Sequence, residues 1–92
     1  MKERHYQRIS GIFDAEIADG ERVILDARSS RYFDLNSVAS RIWELLAVPV
    51  AAEQVCDRLV QEFDIEREAC RQQVGEFLDR LIEKGLCQAV DD

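Results

Sequence analysis

The side chains able to do chemistry are one histidine, three cysteines, five serines and nineteen carboxylates. His5 stands in the charged opening "MKERHYQRIS", with no cysteine or carboxylate pair at ligand spacing beside it, and reads as a solvated or partly packed side chain. Cys56, Cys70 and Cys87 are too far apart for a Cys-x-x-Cys redox or zinc motif, and an odd number fits reduced thiols. Cys56 and Cys70 fall on the apolar faces of expected helices, where a thiol packs as a small hydrophobe. Ser10, Ser29, Ser30, Ser37 and Ser40 lie outside any Gly-x-Ser-x-Gly elbow. Glu76, Asp79 and Glu83 are within helical reach of Arg80 and Lys84, which reads as solvated ion pairing rather than as an acid–base pair. The glycines at 11, 20, 75 and 85 form no loop that would cradle phosphate. The residues therefore favour a chain without catalytic residues, metal ligands or a cofactor, and turn attention to binding.

Ninety-two residues, 47% apolar and 34% charged, suit a single soluble domain over 1–92, with its core at about 10–88. No apolar run approaches a membrane span, and the opening segment lacks the apolar stretch of a signal peptide, so a cytoplasmic location is expected. The net charge of −7 argues against nucleic acid as partner, because that binding draws on Lys and Arg to displace counterions.

The elements run strands first and helices afterwards, an α+β order. In "IFDAEIADGERVILDA", Phe13, Ala15 and Ile17 alternate with Asp14 and Glu16, the period of a strand with one wet face. Asp19-Gly20 supplies a turn that tolerates positive φ. Val23, Leu25 and Ala27 continue the apolar face on the return strand, with Ile24 and Asp26 on the other. The short polar "RSS" at 28–30 lets a third strand, 31–35, return beside the second. Asn36 is a good N-cap for a helix whose face carries Val38, Ile42, Leu45 and Leu46, with Ala39 and Trp43 beside it. Pro49 ends it. Ala52, Val55, Cys56, Leu59, Val60 and Phe63 mark a second helix. A third, from about Glu66 to Lys84, carries Cys70, Val74, Phe77, Leu78, Leu81 and Ile82, with Gly85 placed to end it. Gly75 within it either admits a close neighbour or is merely tolerated. Leu86–Val90 reads as a short strand or an extended tail. Three antiparallel strands followed by three helices give a winged-helix-like outline.

In such a meander the strand 31–35 is a margin whose outward amides and carbonyls are a template for another chain. The sequence there, "RYFDL", has no proline and few charges to discourage pairing. Either the chain's own ends or a second copy cover it, or a peptide adds to it as a further strand. With the last helix alongside, Val74, Phe77 and Leu81 would floor a groove and Gln73, Arg80 and Lys84 would rim it. A proline at Phe33 should then weaken binding by removing a backbone donor. A winged-helix DNA-binding regulator is the alternative, which needs a basic stripe; Arg67 and Arg71 share a face, but Glu66 and Glu68 flank them.

"YFDLNSVASRIWELL", followed by "AEQVCDRLVQEF" and "VGEFLDRLIEKGL", resembles the pyrroloquinoline-quinone biosynthesis protein D family over about residues 10–88. That family includes the stand-alone leader-binding proteins of lasso-peptide pathways, known as RiPP recognition elements. The most specific part is Leu35-Asn36 with Ala39 and Ile42-Trp43. The resemblance implies a non-catalytic adaptor that binds the leader of a ribosomally made precursor peptide. The leader adds to the third strand and lies against the third helix, and the precursor is delivered to a modifying enzyme or leader protease. Carried over, the strand role falls to Arg31, Tyr32, Phe33, Asp34 and Leu35. By helical geometry the groove wall falls to Gln73, Val74, Phe77, Arg80, Leu81 and Lys84. A lasso-pathway branch implies a transglutaminase-like cysteine protease and an asparagine-synthetase-like cyclase as partners; a quinone-cofactor branch implies a radical enzyme carrying its own iron–sulfur clusters. A monomer is expected, with a dimer through the strand margin as the alternative.

Overall fold

Gly20, at φ +76°, turns the first hairpin in a conformation that a side chain would strain. The computed structural model describes residues 4–91. In chain order the elements are β1 (Arg4–Arg8), β2 (Ile12–Ala18), β3 (Glu21–Asp26), β4 (Arg31–Leu35), α1 (Ser37–Leu45), β5 (Val50–Ala51), α2 (Ala52–Glu62), α3 (Arg67–Glu83) and β6 (Cys87–Asp91). The expected meander is present as an antiparallel sheet in the order β2-β3-β4, with Ile24 opposite Phe33 and Asp26 opposite Arg31. The helices fall where the periodicity put them. Asn36 caps α1, its side-chain oxygen accepting from the Ala39 N–H at 2.9 Å. Gly85, at φ +74°, ends α3.

A second three-stranded sheet, β5-β1-β6, lies outside the expected outline. The opening segment, to which the sequence pattern assigns no element, is its central strand: His5 pairs with Ala51 on one side and Val90 on the other, and Tyr6 packs against the core. The tail is thus a strand, and its partner is β1. This pairing matters for the margin at β4. The described ends of the chain are joined to each other, and among the described residues β4 has β3 as its sole strand neighbour.

The faces of the meander are the reverse of the simple alternation. Ile24 and Asp26 point inward and are buried, whereas Phe13, Ile17, Leu25 and Tyr32 are exposed. Ile24 wins the interior because it lies opposite Phe33 on the face that meets α3 and Leu35. Asp26 is tolerated beside it because its carboxylate is fully engaged by Arg28. Around Ile24 the core gathers Leu35, Ile42, Trp43, Leu46, Val55, Leu59, Val74, Leu78, Leu81 and Leu86. Cys56 and Cys70 are buried among them as free thiols, and burial beside Cys70 pushes Cys56 up to about 11. Ile82, assigned to the apolar face of α3, is exposed instead.

A Cβ built at Gly75 meets nothing within 4 Å, so the glycine serves no close approach. Gly75→Ala should stabilise the fold by about 0.5–1 kcal/mol through helix propensity alone, read as a higher urea midpoint with an unchanged m-value.

Candidate peptide-binding groove

The strand 31–35 is positioned by one hydroxyl. Ser40 in α1 is buried; its Oγ accepts from the Arg22 N–H at 3.0 Å and donates to the Leu35 carbonyl at 3.1 Å. Arg22 and Leu35 are opposite residues of β3 and β4, so the hydroxyl bridges the two strands at the end of their ladder. The two groups it bridges face each other. In an antiparallel pair, facing and non-facing positions alternate, which turns the backbone of Phe33 and Arg31 toward β3. The N–H and C=O of Tyr32 and Asp34 therefore point away from the sheet. Among the described residues no strand or loop backbone reaches them.

The far end of the groove is held by a buried acid. Asp26 accepts from the Arg28 N–H at 3.0 Å and from its guanidinium at 2.9 Å and 3.2 Å. Arg28 Nη2 also donates to the Gly85 carbonyl at 2.7 Å. The β3–β4 turn and the C-terminus of α3 are thereby tied together, α3 lying beside β4 in the opposite sense. The Arg28 guanidinium holds the Asp26 carboxyl below the usual carboxylate range.

Between β4 and α3 lies a cleft of about 160 Å³ lined by Ile24, Phe33, Asp34, Leu35, Phe77, Arg80, Leu81, Lys84 and Leu86. Half-buried Phe33 and Phe77 form its apolar walls, and Lys84 Nζ sits 5.4 Å from the Phe33 ring centre. The cleft continues past Phe77 and Arg80 into a second hollow of about 330 Å³ bounded by Asn36, Val38, Ala39, Ile42, Gln73 and Glu76.

The groove residues named from sequence thus divide. Phe33, Asp34, Leu35, Phe77, Arg80, Leu81 and Lys84 line the cleft, and Gln73 lines its extension. Val74, expected on the floor, is 1% exposed in the core and lines neither hollow, because α3 turns that position toward the other helices. Tyr32 is 69% exposed and its side chain lies on the outer face of the sheet; Arg31 is exposed at the start of the strand. Ile24 and Leu86 complete the floor and were not anticipated, nor were Ser40, Asp26 and Arg28 as the groups that set the geometry. Asp26 shares the inward face of β3 with Arg22 and Ile24, so no apolar alternation in the sequence singled it out. The basic stripe a DNA-binding helix would need is otherwise engaged: Arg67 pairs with Glu53 and Asp57, and Arg71 with Glu53 and Glu68. Among the described residues, no three His, Cys, Asp or Glu come together as a metal-binding group, and no helix is long and apolar enough to cross a membrane.

Comparison with known proteins bears on this groove. Residues 21–86 match the family model described as coenzyme PQQ synthesis protein D (PqqD). Among solved structures, the chain is similar to TbiB1 in complex with the TbiA(beta) leader peptide. The two are 30% identical with a TM-score of 0.81, over 94% of this chain and 99% of that one. It is also similar to a lasso peptide synthetase B1 complexed with the leader peptide, at 26% identity and a TM-score of 0.76, over 90% and 96% of the two chains. No curated protein matches the chain.

Two variants probe the supports. Ser40→Ala leaves the Arg22 N–H and the Leu35 carbonyl without their shared partner and should cost about 1–3 kcal/mol in urea unfolding. Because the Asp26 carboxyl titrates lower in the folded chain than in the unfolded one, its contribution is complete above the unfolded value and is lost as pH falls through the folded value. Below about pH 4, the stability of the wild type should therefore fall more steeply than that of Asp26→Asn, measured as urea midpoints across an acid series.

Proposed function

The chain belongs to the PqqD family, and from that membership and the open margin of β4 we propose that it is a single-domain, non-catalytic adaptor for the leader of a ribosomally made precursor peptide. The leader adds to β4 as a further strand and rests on the cleft beside α3. The observation that carries the reading is the pairing of unpartnered backbone groups, at Tyr32 and Asp34, with an apolar cleft on the same margin. Strand addition needs both: main-chain bonds supply sequence-independent affinity, and pockets for alternate side chains supply selectivity. Each main-chain bond contributes about 0.5–1.5 kcal/mol net, well short of the roughly −8 kcal/mol of a micromolar complex, so side chains seated in the cleft must supply most of the affinity.

The neighbour named as a lasso peptide synthetase B1 supports placing the adaptor in a lasso-peptide pathway. There it would hand the precursor to a leader protease or another modifying enzyme. A quinone-cofactor pathway, with a radical enzyme as recipient, is the second assignment that the family membership supports.

The test uses the TbiA(beta) leader peptide and the leader of any small precursor encoded beside this chain. Titration into isotope-labelled protein should shift the amides of Tyr32 and Asp34 and those lining the cleft. A complex that leaves both strand amides unmoved would rule the reading out. The ladder also replaces the simpler expectation for proline. Phe33→Pro removes a donor that faces β3 and should lower stability. Asp34→Pro removes an outward donor at a margin where proline is tolerated, and should weaken the leader about three- to tenfold, the equivalent of one main-chain bond, with the urea midpoint nearly unchanged.

A further inference from the structure

The described arginines and Lys84 of this acidic chain are not distributed evenly between paired and unpaired. Arg8, Arg22, Arg28, Arg41, Arg67 and Arg71 each have a carboxylate within ion-pair distance. Among the described residues, four cations have none: Arg31, Arg58, Arg80 and Lys84. Three of these four stand on β4, on α3 or at the C-cap of α3. Arg80 and Lys84 line the cleft itself; Arg31 begins β4, opposite Asp26, at the end where Arg28 ties down Gly85. Although the chain has 19 acidic residues against 12 basic ones, these cations have no carboxylate within ion-pair distance among the described residues. The groove is also polarised along its length. Its Lys84 end sets Arg80 and Lys84 against the single acid Asp34, whereas its other end carries Gln73 and Glu76, with Glu76 already accepting from Gln72 at 3.4 Å.

We infer that the groove selects an extended peptide with a carboxylate side chain at an inward-facing position beside Arg80 and Lys84, two residues from an apolar side chain seated on Phe33, Phe77 and Leu81. The inference rests on the strand-addition reading and adds to it the chemistry of the ligand. An added strand turns alternate side chains to one face. A residue two positions from the one over Phe33 therefore lands along the same groove, beside the α3 cations. The apolar walls shield that pair from solvent and strengthen it relative to a fully wet one. The cations also offset the negative C-terminal end of the α3 dipole, a purely structural role that the test must separate from recognition.

Short random peptides displayed and selected on the full chain provide that test. Enriched sequences should share Asp or Glu two positions from an apolar residue. A selected peptide with that Glu replaced by Gln should bind about fivefold more weakly, the size of one ion pair at a partly dry surface. The Arg80→Gln/Lys84→Gln double variant should bind the Glu and Gln peptides alike, and Arg80→Glu/Lys84→Glu should prefer Lys at that position. Raising salt from about 0.05 M to about 0.5 M should shrink the Glu preference. A structural role alone would move the urea midpoint of the double variant and leave its discrimination between Glu and Gln intact. Selected peptides that shift the Tyr32 and Asp34 amides but show no preference for a carboxylate overturn the charge inference and leave strand addition standing. Peptides that leave those amides unmoved, or a selection that enriches nothing, overturn both.

Discussion

The backbone of β4 is satisfied on one side only. Toward β3 its groups are paired, with the Ser40 hydroxyl bridging the last rung; away from β3, the main-chain groups of Tyr32 and Asp34 have no backbone partner among the described residues. An exposed margin of this kind costs little as long as it stays wet, but whatever dries it has to replace the lost water bonds. That constraint selects for a partner with its own main-chain donors and acceptors in extended register. An apolar surface of any other shape would leave buried polar groups unmatched.

The supports around this margin are polar, although the core they sit on is apolar. Asp26, Arg28 and the Gly85 carbonyl tie the end of α3 to the β3–β4 turn. At the other end of the meander, Arg22 bridges Asp14 and Glu44, and Asp14 accepts from the Trp43 indole N–H at 3.1 Å. Arg8 of β1 lies over the same indole ring. The meander is thus fastened through directed bonds to α1 at one end and to the C-terminus of α3 at the other, and the latter bond ties α3 to the turn that leads into β4. Apolar packing alone specifies burial more than spacing, and a groove needs the spacing.

The helices and the meander were legible because their signals are local: the i, i+3, i+4 repeats of α2 and α3, the Asn36 cap, the Gly85 stop and the Asp19-Gly20 turn. The second sheet was not, since a strand such as "RHYQR" has no alternation to announce it and is defined by partners more than forty residues away in the chain. The same limit explains the inverted faces of the meander. Alternation says that residues 13, 15 and 17 share a side, while only the placement of the helices, α1 above all, decides which side is dry. Within the groove, strand residues could be placed from their register. Val74 was misassigned because the floor of a cleft and the core beneath it share one helical stripe, and a stripe does not say how deep each residue sits.

The pleat of β4 has a consequence for how a partner's sequence can vary. A segment lying along this margin shows the cleft every second side chain and turns the rest outward, beside Tyr32. The domain would therefore read its ligand as a text in which only alternate letters carry information. The silent letters remain free to drift, so ligands of the same domain can look unrelated when compared residue by residue and still agree at a spacing of two.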